Sequence, residues 1–312
     1  METLVQTERC LPTTAVPATA SASHLAPVGL DAARFDARFA KVFAWYVDRW
    51  MLPRRFHAVR LAKENAGLLA EAADHAGPVI VVLNHPSWWD PMLAVLLARR
   101  FMPRREHLAP IDAAVLRTFG FFRRLGVFGI DPDDPASLHA MVEYVGECLR
   151  RQPRTAVWIT PQGRLTDPRV EIRIRPGAAA LAARFPDVRV VAAALEYPFW
   201  GHPRPEALIR LEPCEVGGRS GAGAGRTAAW HRAMLEAMRR AAAALAELAV
   251  ARDLRAFDVL VGREWGGREV NPAYDLWLRL RGRSAGISYE QAERTAARRA
   301  SGRIGRGEGG TP

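Results

Sequence analysis

Cysteine is scarce. The 312 residues contain three, Cys10, Cys148 and Cys214, odd in number and far apart. No pair has redox or metal-ligand spacing, so a disulfide framework and a cysteine-based zinc site are excluded, and idle thiols in a reducing compartment fit best. Long apolar runs are missing too. None reaches the roughly 18 residues of a spanning helix, so any contact with a membrane is expected to be made from its surface. The N-terminus has no basic region followed by an apolar core, and no signal peptide is expected. Lysine is almost absent: Lys41 and Lys63 stand alone among 44 Lys+Arg residues, against 33 Asp+Glu, for a formal charge of +11. Such a basic, Arg-dominated chain suits an anionic partner, whether phospholipid surface, nucleic acid or phosphate-bearing substrate. An Arg- and Ala-rich codon usage would give the same balance.

At 49% hydrophobic, the chain can bury a substantial core. Residues 1–29 are rich in Ala, Thr, Ser and Pro without periodicity and read as a disordered leader. Residues 30–55 read as an amphipathic helix. Phe35, Phe39, Val42, Phe43, Tyr46, Val47 and Trp50 recur at spacings of three and four, and Pro53 is expected to stop the helix. Its aromatic face, flanked by Arg and Lys, suits either a lipid headgroup layer or packing on the main domain. Residues 56–216 alternate apolar β-branched runs with helical patterns, which predicts an α/β domain with a mixed, largely parallel sheet flanked by helices. Residues 217–225 are a Gly-rich linker, 226–283 a helical extension opened by Thr227, and 284–312 a disordered tail.

The chain is organised around residues 79–91. Val79 to Leu83 are five apolar residues, four of them β-branched, as a buried strand requires. Asp90-Pro91 then precedes the apolar run from Met92 to Ala98, an N-cap and helix start. Between strand and helix lie His85 and Asp90. A tight strand-to-helix turn can fold them together. A carboxylate on one ring nitrogen fixes the tautomer and leaves the other nitrogen free to take a proton. The plainer alternative is a chance spacing in which Asp90 is only a cap.

The segment Asn84-His85-x-Ser87-x-x-Asp90-Pro91 resembles the first motif of the PlsC-like glycerolipid and lysophospholipid acyltransferases, and further blocks follow in order. Gly126-Val127-Phe128-Gly129-Ile130-Asp131-Pro132 is similar to the second motif, which usually closes in Ile-Asp-Arg; that Arg commonly holds the acceptor's phosphate. Pro132 replaces it here, and the Lys often found near Pro110 is missing. Pro161-Gln162-Gly163-Arg164 is similar to the third, usually Phe-Pro-Glu-Gly-Thr-Arg, with Gln162 in place of Glu and Arg164 in place of Thr. The strand from Val188 to Leu195 is similar to the fourth, without the prolines usual there, and Glu196 beyond it is a candidate second polar group.

The resemblance implies the PlsC-like fold and O-acyl transfer to a lysophospholipid or other lipid-like alcohol, with His85 as base and Asp90 as its partner. The expected substrate-binding residues are Asn84, Ser87, Gly126, Pro161, Gln162, Gly163, Arg164 and Arg173. A Pro-x-Gly turn can offer backbone N–H groups to an oxyanion. Arg164, Arg169, Arg173 and Arg175 fall within twelve residues and are candidates to replace the lost cations of the second block; a solvated loop would look the same. No cofactor or metal is implied beyond an acyl thioester co-substrate, acyl-CoA or acyl carrier protein. The expected location is cytoplasmic, peripheral on the inner face of the cell membrane. Two rivals remain: an acyltransferase-like membrane-binding protein without catalysis, and a basic nucleic-acid binder, for which no reading helix or aromatic-basic platform is found.

Overall fold

The structure is a computed structural model that describes residues 30–217, 223–262, 277 and 280–282. The expected leader 1–29, the centre of the Gly-rich linker and the expected tail 284–312 lie outside the described residues, as do Cys10 and Trp265.

Eight strands form one sheet in the order β4-β3-β5-β2-β6-β7-β1-β8. They are β1 (Ala58–Ala62), β2 (Val79–Leu83), β3 (Glu106–Asp112), β4 (Val127–Ile130), β5 (Thr155–Ile159), β6 (Arg189–Glu196), β7 (Ala207–Cys214) and β8 (Phe257–Gly262). The run β4-β3-β5-β2-β6 is parallel throughout. β7 turns back antiparallel to β6, β1 runs parallel to β7, and β8 is antiparallel to β1. The mixed, largely parallel sheet expected from the sequence is therefore present.

Helices cover both faces, which is why the central strands are apolar on both sides. The strand period of two divides β2. Val79, Val81 and Leu83 pack with Met92, Leu93, Leu96 and Leu97 of α4 (Asp90–Phe101) and with Leu69 of α3 (Leu68–Asp74). Ile80 and Val82 face α6 (Pro135–Arg151), α7 (Gly177–Ala183) and α8 (Ala224–Ala251). Burying each such aliphatic side chain is worth about 1.5–3 kcal/mol, so β2 is a fixed platform for the turn that follows it.

Three elements differ from the sequence reading. The first helix starts at Ala37, where the Asp36 carboxylate accepts from the Arg38 and Phe39 N–H groups, and not at Leu30. α1 (Ala37–Tyr46) continues through a π turn (Val47–Met51) into α2 (Leu52–Arg55), so Pro53 does not stop it. Proline needs no N–H partner in the ladder, and the widened turn just before it accommodates the ring. The face is also divided. Val47 and Leu52 are buried against α4, and buried Asp48 accepts from Arg100 at 2.8 Å, while Val42, Trp45, Tyr46 and Trp50 are exposed. At the other end, α8 begins one turn before Thr227 and packs on the sheet, and the region expected to be purely helical supplies the edge strand β8. The Asp-Val-Leu-Val run within β8 carries that strand pattern.

Candidate active site

Because β2, β3, β4, β5 and β6 are parallel, their carboxyl ends lie on one sheet edge. All four sequence blocks end there: β2 in Asn84-His85, β4 in Ile130-Asp131, β5 in Thr160-Pro161 and β6 in Glu196-Tyr197. This is the edge where open α/β sheets gather ligands.

Asn84 is buried and behaves as one more rung of the ladder. Its side-chain oxygen accepts from the Leu195 N–H at 2.7 Å, and its amide nitrogen donates to the Leu195 carbonyl at 3.0 Å. β2 and β6 are thereby locked together one residue before His85. The His85 main chain is then clamped from the β5 side. Its N–H donates to Gln162 Oε1 at 2.9 Å, and its carbonyl accepts from the Thr166 N–H at 2.8 Å.

The two candidate catalytic side chains meet. His85 Nδ1 lies 2.6 Å from Asp90 Oδ2. With Asp90 ionised the proton sits on Nδ1, which leaves Nε2 as the free acceptor. Nε2 makes no hydrogen bond to the described residues, and the ring is part-exposed while Asp90 is buried. Asp90 is the first residue of α4, but it does not act as a forward cap. Its carboxylate turns back: Oδ2 also accepts from the Ser87 N–H at 3.1 Å, and Oδ1 accepts from the Tyr197 hydroxyl at 2.6 Å. Ser87 Oγ accepts from the Trp89 N–H, so Ser87 shapes the turn.

Tyr197 and Thr166 are absent from the sequence reading. Tyr197 had a signal. It continues the parity of Ala193 and Leu195, the β6 residues that share a face with Leu83 and α4. Glu196 was the expected polar group, but it has the opposite parity, and its charged neighbours are Arg169 and Asp167. Burial pushes the Glu196 carboxyl above its ordinary range. Tyr197 is pushed well above the usual phenol range, first by burial and then by the Asp90 charge beside it, so its hydroxyl keeps its proton and donates. Nothing in the local sequence signals Thr166.

The other expected site residues divide. Pro161 is buried, and its carbonyl accepts from the Arg175 N–H at 2.8 Å. The Gly163 N–H closes the turn onto the Thr160 carbonyl at 3.0 Å, so it is not a free oxyanion donor. Gly163 sits at φ +71°, and a Cβ there would lie 2.9 Å from Arg175 Nε. Gly126, at φ +88°, is structural, since a Cβ would meet the His107 carbonyl oxygen at 1.9 Å. Arg173 is 88% exposed and paired outward with Glu171. Arg164 is exposed. The cation seated against the third block is instead Arg175, whose guanidinium reaches Asp133 at 2.9 Å, one residue past Pro132.

The arrangement is thus an imidazole oriented by a buried carboxylate, with one ring nitrogen open, beside a side-chain amide and an arginine. It can deprotonate a hydroxyl. Residues 64–196 match the family model described as Acyltransferase. No curated protein matches the chain. The match starts ahead of β2 and ends on the last residue of β6, enclosing His85, Asp90, Gln162 and Arg175. The match identifies residues 64–196 as an acyltransferase domain of the PlsC-like family.

Proposed function

We propose that this acyltransferase moves a fatty acyl group from a thioester, acyl-CoA or acyl carrier protein, to the hydroxyl of a lysophospholipid or another lipid-like alcohol. The observation that carries this reading is the 2.6 Å contact of His85 Nδ1 with Asp90, which leaves Nε2 unbonded at the sheet edge. Nε2 takes the proton of the acceptor hydroxyl as its oxygen attacks the thioester carbonyl. Asp90 steadies the imidazolium. The tetrahedral intermediate collapses with loss of the thiolate, which takes the proton back from His85 as thiol. With the Gly163 N–H engaged, the donor for the oxyanion is the Gln162 side-chain NH2, whose oxygen already fixes the His85 main chain. Arg175, ahead of Arg164 and Arg173, takes the anionic part of a substrate, displacing Asp133.

General-base help is worth about 10²–10⁴ in rate. His85→Ala should therefore lose nearly all thiol release while the protein stays folded, as a melting curve checks. Purified protein given labelled acyl-CoA and a total lipid extract should yield one labelled lipid. Full activity in His85→Ala, or no labelled lipid with either thioester donor, would overturn the reading. The intact pair also speaks against a decayed, non-catalytic protein.

The same surface is suited to a bilayer. Trp88, 51% exposed, starts a chain of ring contacts through Phe119, Phe122 and Phe121 to Phe43 and Tyr46. Arg124 lies over Phe39 and Arg54 over Trp50. Aromatic rings ringed by guanidinium groups fit an anionic headgroup layer, and none of the described helices is long and apolar enough to cross a membrane. We place this ridge on the inner face of the cell membrane. Cosedimentation with anionic but not zwitterionic vesicles is expected, weakened by joint Trp45→Ala and Trp50→Ala. Equal binding of parent and double variant would refute the placement.

A further inference from the structure

The Asp90 carboxylate is divided between two tasks. Oδ2 serves His85 Nδ1 at 2.6 Å and the Ser87 N–H at 3.1 Å, both within the β2–α4 turn. Oδ1 is held by the Tyr197 hydroxyl at 2.6 Å, from the residue just past β6, 107 positions away. Phenylalanine would fill this place equally well. The Tyr197 ring packs on Phe56 at 5.7 Å, and Phe56 packs edge-on to Trp89 at 5.3 Å. The hydroxyl is what packing does not explain, and it points at one carboxylate oxygen.

We propose that Tyr197 is a positioning residue for the His85–Asp90 pair. Its hydroxyl pins Oδ1, so that Oδ2 stays on His85 Nδ1. A short hydrogen bond from a neutral phenol draws negative charge toward Oδ1. Without it the same charge concentrates on Oδ2 and in a buried place, so the pair holds a proton more tightly. Two coupled groups share that proton, and the direction is the same whichever member carries it.

The other donor to the Asp90 carboxylate, the Ser87 N–H, does not titrate. From the β5 side comes Gln162, which is uncharged. The charged neighbour acting on Tyr197 is Asp90 itself. Ahead of β1 and β7 lie His57 and Glu206, which face each other at 3.8 Å, and Glu206 is held by Arg60 at 2.9 Å.

The proposal rests on the reading of His85 as the base, so its test has two separate readouts. The first is the ring signal of His85 followed by NMR through a pH series in the free protein. The second is kcat/KM for acyl transfer over the same range. In Tyr197→Phe the His85 midpoint should move up by about 0.5–1 pH unit. The acid limb of the rate profile should follow, lowering kcat/KM there about three- to tenfold, with the alkaline plateau and the donor KM close to the parent. Retention of the ring keeps the packing with Phe56, which a melting curve checks. Glu196→Gln, one residue away on the opposite face, should leave the midpoint in place. If the midpoint moves and the rate profile does not, Tyr197 positions the pair but His85 is not the base. If His85 titrates identically in Tyr197→Phe and parent, the proposal fails.

Discussion

Asn84 is the sharpest test of how the site is held. Its side chain is buried and makes two hydrogen bonds to the main chain of Leu195, at 2.7 and 3.0 Å. Asn84→Ala removes both partners and leaves a buried N–H and a buried C=O unpaired. Each such loss costs about 1–3 kcal/mol, so the variant should be less stable by about 2–6 kcal/mol. It should also lose activity, because the joint aligns the end of β2, which leads into His85, with the end of β6, which leads into Tyr197. Asn84→Asp separates the two bonds at nearly constant volume. Its carboxyl still accepts from the Leu195 N–H, but it donates to the Leu195 carbonyl only when protonated. The folded state therefore favours the neutral acid and raises its proton affinity above that of the unfolded chain. The stability contributed is present in acid and lost as pH rises. Urea unfolding of parent and both variants at two pH values is the assay. An Asn84→Ala midpoint equal to the parent's, or an Asn84→Asp variant that gains stability relative to the parent as pH rises, would refute the argument.

Gly163→Ala places a side chain at φ +71°, with its Cβ 2.9 Å from Arg175 Nε. The backbone cost is about 1–2 kcal/mol, and displacement of Arg175 should raise the acceptor KM more than it lowers kcat. Glu206→Ala deprives buried Arg60 of its carboxylate, a loss of about 3–5 kcal/mol; Glu206→Leu with Arg60→Met should recover most of it in the same melt. Burial, as the first cause, lowers both His57 and His107 to about 4 from an ordinary 6.5. The unfolded chain then binds protons that the folded chain does not between those values, so stability is full above pH 6.5 and falls as pH drops toward 4. The dependence should approach two protons, and a flat profile over that range would contradict it. Burial also raises the thiols of Cys148 and Cys214, to about 11 and about 12. A disulfide reagent at pH 8 should react with both only after unfolding.

Local sequence was sufficient where the physics is local. The β-branched run Val79 to Val82 determined a buried strand, and Pro91 with the apolar run after it determined α4. The turn between them brings His85 and Asp90 within reach, so the pair was legible before any coordinates. Alternation of strand and helix patterns similarly gave the class of fold. The first helix was read with the wrong start because aromatic spacing alone says nothing of where a cap lies. Asp36, with its carboxylate on two N–H groups, was the missed signal. Strand β8 was missed because its apolar run is short and half-exposed and follows the long Ala-rich helical pattern of α8.

What the tertiary structure alone decided is which distant groups complete the turn. Tyr197 reaches Asp90 from 107 positions away and Gln162 reaches His85 from 77, and the parallel order of β5, β2 and β6 sets both beside the turn. The choice among four arginines was likewise spatial. Arg173 and Arg175 are two residues apart, yet one points to solvent and the other lies over Gly163, because only Arg175 has its main chain bonded to the Pro161 carbonyl. Hydrophobic periodicity and capping act over one or two turns of chain and can be read there. Partnership across a sheet depends on strand order, which no short stretch of sequence encodes.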